Sequence, residues 1–72
     1  MKIIVNGQAK NISEGIVLSS LLDDLKIDRE RIAVEINLEI IKKDRYDSLK
    51  LVEGDRIEIL QFVGGGESEP KE

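Results

Sequence analysis

Apolar and polar positions alternate along the start of the chain, change period once, and then alternate again. The runs Lys2-Ile3-Ile4-Val5-Asn6 and Gln8-Ala9-Lys10-Asn11-Ile12 flank the dipeptide Asn6-Gly7. Asn-Gly accepts the two positive φ angles that a type I′ turn demands, so the pattern predicts a hairpin of strands at about residues 2–6 and 8–12. Leu18, Leu21, Leu22 and Leu25 then fall at i, i+3, i+4 and i+7, while Ser19, Ser20, Asp23, Asp24 and Lys26 occupy the positions between. That period predicts an amphipathic helix of about three turns. Ile16 stands where Ser or Thr would cap best, so Ser13 or Gly15 is expected to shape the helix start.

After a charged turn at Asp28 to Arg31, period two returns in Arg31-Ile-Ala-Val-Glu-Ile-Asn37. Ile32, Val34 and Ile36 share one face of this strand, and Ala33 and Glu35 the other. Asn37-Leu38-Glu39 predicts a turn into a short strand at Ile40-Ile41, and the polar stretch Lys42 to Ser48 carries one apolar anchor, Tyr46. Glu53-Gly54-Asp55 reads as a tight turn into a last strand, Arg56 to Val63. The predicted order is ββαβββ. One helix covers one face of a sheet, so the expected fold class is α+β, a mixed sheet of four to five strands with the helix packed across it.

The last strand carries a further expectation. If Ile57 and Ile59 face the helix, then Glu58, Leu60 and Phe62 lie on the opposite face. Leu60 and Phe62 are then either an exposed apolar pair that a partner can grip or are returned to the core by a bulge.

Composition removes most chemistry. The 72 residues contain no cysteine and no histidine, which excludes disulfides, thiolate or imidazole metal ligands, a cysteine nucleophile and a Ser-His-Asp triad. Net charge is −4, and the tail from Glu67 to Glu72, with three glutamates and one lysine, supplies half of it. With Tyr46 and Phe62 as its only aromatic residues, the chain lacks the basic patch and stacking platforms of a nucleic-acid binder. An acidic surface fits a basic protein partner. No run approaches the ~20 apolar residues of a membrane span, and MKIIVNG turns polar too soon for a signal peptide, so a cytoplasmic location is expected.

The remaining motifs are inert as catalysts. The glycine triplet Gly64-Gly65-Gly66 is followed by Glu67, without the Gly-Lys-Ser/Thr spacing of a phosphate-binding loop. Asp23 and Asp24 are adjacent on the helix and point about 100° apart, which reads as a solvated face. Lys42-Lys43 could steer an acidic partner but is commonly a solubilising turn, and Ser19 and Ser20 have no histidine to activate them. The chain is not expected to be an enzyme. What remains is the glycines: three residues without Cβ can thread a channel closed to side chains, and the last offers an unhindered carbonyl.

The opening Met1-Lys2-Ile3-Ile4-Val5-Asn6-Gly7, the strand Ala33-Val34-Glu35-Ile36-Asn37, and Glu53-Gly54-Asp55-Arg56-Ile57-Glu58-Ile59 leading to Phe62-Val63-Gly64-Gly65-Gly66 stand together in one order. Over residues 1–66 the chain resembles the ThiS-type sulfur carriers of thiamin biosynthesis, within the ubiquitin-like β-grasp fold. The resemblance implies a β-grasp domain at 1–63 and a flexible glycine arm at 64–66, while the acidic Ser/Pro/Glu composition of 67–72 reads as a disordered extension. It implies that a ThiF-like adenylating enzyme uses ATP to activate the carboxylate of Gly66, next to Gly65. A desulfurase or persulfide protein supplies sulfur, and a ThiG-like thiazole synthase accepts it from the thiocarboxylate. The chain itself binds no cofactor in this scheme. Docking is expected through Leu60, Phe62, Val63 and Gly64.

Three departures stand beside the resemblance. Lys42-Lys43 replaces a frequent Pro-Arg, Tyr46 stands where tryptophan is common, and Glu67 to Glu72 follow the diglycine, so that Gly66 is an internal amide. Removal of these six residues by a protease is the expectation taken forward, since an acidic Ser/Pro/Glu segment is readily cleaved. The alternatives are an artificial addition, an interaction module that has lost the carrier chemistry, or a carrier for another pathway such as molybdopterin synthesis.

Overall fold

A computed structural model describes residues 1–62. Five strands and one helix follow in the expected order: β1 (Lys2–Val5), β2 (Gln8–Asn11), α1 (Leu18–Asp24), β3 (Ile32–Ile36), β4 (Glu39–Ile41) and β5 (Arg56–Gln61). They form one mixed sheet of order β2-β1-β5-β3-β4. β1 and β5 run parallel at its centre, and every other neighbouring pair is antiparallel.

Local chemistry explains the turns. Asn6 and Gly7 adopt φ of 48° and 83°, the two left-handed positions that close the β1–β2 hairpin. Asn37 and Leu38, at 53° and 72°, repeat this geometry between β3 and β4, although leucine tolerates it poorly. Each strand stops within a residue or so of the length expected; Val63, assigned to the last strand, lies outside the described residues.

The helix departs from expectation at both ends. It spans seven residues, about two turns rather than three, because Lys26 takes φ of 58° and ends it. The Lys26 N–H then donates to the Asp23 carbonyl and the Ile27 N–H to that of Leu22, each at 3.0 Å, which satisfies carbonyls the helix leaves free. At the other end Val17 is the cap residue and no side chain caps it, so Ser13 has no such role. The free N–H groups of Leu18 and Ser19 instead donate to the carbonyls of Leu49 and Tyr46, at 2.9 and 2.8 Å. Gly15, at φ of 79°, turns the chain just before the helix, as expected of it.

The core lies between helix and sheet. Leu18, Leu21 and Leu22 of α1 join Ile3 of β1, Ile32, Val34 and Ile36 of β3, and Ile57 and Ile59 of β5 in one buried cluster. Tyr46 enters the same cluster at 1% exposure. It sits just after a one-turn 3-10 helix at Lys43–Arg45, and the Arg29 guanidinium lies 5.5 Å from its ring centroid. Burial pushes the phenol's pKa up, and the charge of Arg29 opposes that shift. Arg29 also donates to Asp47 Oδ1 at 3.0 Å. This bond is the main reason the Asp47 carboxyl is held below its usual range, with Ser19 adding to the effect.

Because Tyr46 fills the core and its carbonyl caps the helix, it couples sequence-distant segments. Tyr46→Ala is expected to destabilise the domain by about 3–5 kcal/mol, the usual range for deleting a buried aromatic side chain. A small domain has only about 5–15 kcal/mol in total, so urea denaturation followed by circular dichroism is expected to show most of the stability lost.

Candidate functional site

The carboxyl-terminal strand is held along its whole described length, and two different devices do this. On one side β3 pairs with it from Ile36↔Ile57 to Ile32↔Gln61, and the Phe62 N–H still donates to the Arg31 carbonyl at 2.8 Å. On the other side the β1 ladder covers only Arg56 and Ile57 before the chain turns away at Asn6-Gly7. The Asn6 side chain then takes over. Its Oδ1 accepts from the Ile59 N–H at 2.7 Å, and its Nδ2 donates to the Ile59 carbonyl at 3.2 Å. One carboxamide thus supplies a further rung of the ladder after the backbone of β1 has left.

Asp55, just before β5, fixes the start of the strand. Its carboxylate is buried and accepts from the Val52 N–H at 2.8 Å and from Asn37 Nδ2 at 3.0 Å. Asn37 Oδ1 in turn accepts from the Arg56 N–H at 3.0 Å. Sequence reading placed Asn6 and Asn37 at strand ends and turns and Asp55 in a turn, with no bonding role for their side chains. Their long-range partners carry no local signature; the only available signal was a short amide or carboxylate side chain beside a strand end.

Alternation along β5 buries Ile57 and Ile59 and leaves Leu60 and Phe62 exposed, at 56% and 61%. No bulge returns Phe62 to the core. Leu60 lies directly opposite Ala33 on β3, so the pair stands on the sheet face away from the helix. Val63, Gly64, Gly65 and Gly66, the other expected site residues, lie outside the described residues. The structure therefore brings Leu60 and Phe62 to one face at the end of β5.

Two grooves among the described residues lie elsewhere. One groove of ≈ 440 Å³ is lined by Lys10, Ile12, Ile16 and Asp24 among others, and a second of ≈ 250 Å³ by Asn37, Arg45, Lys50 and Asp55 among others. Among the described residues, no three of His, Cys, Asp and Glu cluster as metal ligands, and no helix is long and apolar enough to cross a membrane.

Comparison with known proteins identifies the family. The ThiS family model matches residues 3–66, a span that includes the three glycines. The chain belongs to the ThiS family. ThiS proteins are small sulfur carriers of thiamine biosynthesis and are not themselves enzymes. The crystal structure of the thiamine biosynthesis protein ThiS from Geobacter metallireducens has the same fold, with a TM-score of 0.79 at 33% identity over 92% of this chain and all of that one. The sulfur carrier protein ThiS of Bacillus subtilis is 43% identical over 49 residues, 68% of this chain and 74% of that protein. A thiazole synthase of Paramagnetospirillum magneticum is 41% identical over 66 residues, which are 92% of this chain. The chain spans only 20% of that relative's length.

Since Leu60 and Phe62 take no part in the core, their replacement leaves the ThiS fold intact. Leu60→Thr and Phe62→Thr keep strand-forming side chains and are each expected to change unfolding free energy by no more than about 0.5 kcal/mol. Urea titration checks this, and a loss of about 2 kcal/mol or more would place either residue in the core.

Proposed function

We propose that this chain carries sulfur as a thiocarboxylate on Gly66, after removal of the residues that follow it, and delivers it for thiazole formation. The observation that carries this reading is a ThiS match reaching residue 66 joined to a last strand held on both sides up to Ile59 and on the β3 side up to Phe62. A rigid domain with an unhindered glycine end suits a substrate whose chemistry is done by other proteins.

The steps balance without any catalytic residue of the chain. The Gly66 carboxylate attacks the α-phosphorus of ATP on a ThiF-like adenylating enzyme, and pyrophosphate leaves. The terminal sulfur of a persulfide, supplied by a desulfurase or persulfide protein, then attacks the acyl carbon and AMP leaves, giving an acyl disulfide. A thiol of the partner proteins attacks the outer sulfur of that bond, forms a disulfide with it and releases the thiocarboxylate. Gly64, Gly65 and Gly66 have no Cβ, so they fit a channel too narrow for side chains. Leu60 and Phe62, with Val63 and Gly64 after them, serve as the docking surface. The relatives named thiazole synthase include a stretch similar to this chain within one longer protein, which supports a thiazole synthase as the sulfur acceptor.

In the chain as it stands, Glu67 to Glu72 keep Gly66 in an amide bond, and an amide cannot form the acyl-adenylate. A processing protease is the partner this requires. The test compares three proteins with the adenylating enzyme, ATP and a sulfur source, read by intact mass. The chain ending at Gly66 is expected to exchange one oxygen for sulfur, and the 72-residue chain to remain unchanged. Gly66→Val in the shortened chain is expected to react at least about a hundredfold more slowly, as misplacement of a reacting group does. Equal reaction of the valine variant would remove the role given to Gly66.

A further inference from the structure

The face that bears Leu60 and Phe62 also carries two carboxylates set directly against each other. Glu35 on β3 is the register partner of Glu58 on β5. The pair belongs to the hydrogen-bonded class, since Asn37 opposite Arg56 and Arg31 opposite Phe62, two and four residues away, are joined by backbone bonds. Such pairs hold their Cα atoms about 5.5 Å apart, and like charges so placed are destabilising. Neither glutamate takes part in an ion pair among the described residues, where the bridges are Arg29 with Asp47, Arg31 with Asp28 and Lys43 with Glu30. Lys42 and Arg56 lie on the same face by register and alternation, yet neither comes within salt-bridge distance of the pair.

Apolar surface borders the two charges. Ile40, 75% exposed, is opposite Glu35 on its other side, and Ala33 and Leu60 form the next row. Two facing carboxylates with no salt-bridge partner among the described residues are complementary to a cation set among apolar side chains. A guanidinium suits them better than an ammonium, because its planar fork can donate to both carboxylates at once.

We propose that Glu35 and Glu58 form a clamp for an arginine of the adenylating enzyme's docking surface, inserted between the apolar contacts to Leu60 and Ile40. The inference rests on the carrier reading and adds to it the chemistry of the surface that must meet this face. The clamp supplies orientation: the apolar contacts hold the sheet face, and the paired charges fix its rotation on the enzyme.

The experiment uses the chain ending at Gly66, which keeps every described strand and the helix. Wild type, Leu60→Thr and the double variant E35Q/E58Q are compared by thermal melting and by the KM and kcat of activation with the adenylating enzyme at two salt concentrations. The double variant is expected to melt a few degrees higher, because the repulsion is gone. Its KM is expected to rise roughly tenfold, with kcat little changed and a weaker dependence on salt. A merely structural role would not raise stability while weakening binding. If wild type is activated, Leu60→Thr raises KM and E35Q/E58Q behaves as wild type, the clamp is wrong and the carrier reading stands. If wild type is not activated at all, the carrier reading fails and the clamp with it.

Discussion

Burial of Ile57 and Ile59 against the α1 leucines is the constraint on which the rest of the molecule depends. A single helix of seven residues can cover only one face of a five-stranded sheet. Strand geometry then sends Glu58 and Leu60 to the uncovered face, with Phe62 following them. The same two isoleucines seat β5 between β1 and β3 at the centre of the sheet. A central strand brings the chain out of the domain with little freedom of direction. Asn6 and the Arg31 carbonyl extend that restraint to Ile59 and Phe62, beyond the reach of the β1 backbone.

Two properties of a carrier follow from this one packing choice. Among the described residues the core closes without Leu60 or Phe62, so the chemistry proposed for Gly66 places no demand on it. The sheet face away from the helix can tolerate unfavourable features, an exposed phenylalanine and two facing carboxylates, because the helix-side core is independent of them. Leu38, held at φ of 72° and 91% exposed at the β3–β4 turn, is a second place where local preference is overridden. No contact within the described residues accounts for it.

Most of the fold was legible in the sequence because its signals are local. Asn6-Gly7, the change from period two to the leucine spacing and back, and Glu53-Gly54-Asp55 each mark an element by nearest-neighbour chemistry. Tyr46 was legible as an anchor because it is the one large apolar side chain in a polar stretch. The helix length was not, since Leu25 continues the apolar spacing while Lys26 ends the helix through bonds to its last carbonyls. Nor was the helix start, which is satisfied by carbonyls more than twenty residues away. At the site, alternation pointed to the exposure of Leu60 and Phe62 but left open a bulge that would bury Phe62, which only the strand register decides. The second task of Asn6 and the facing of Glu35 and Glu58 depend on strand order, which no short window of sequence contains.

The central claim is that Gly66 is freed and then bears sulfur, and the most direct test is the intact mass of the untagged protein recovered from its native cells while they make thiamin. The account predicts a species ending at Gly66, a fraction of which has one oxygen replaced by sulfur. Full-length protein alone, still ending at Glu72, would contradict it and leave the glycines as a hinge in an interaction domain.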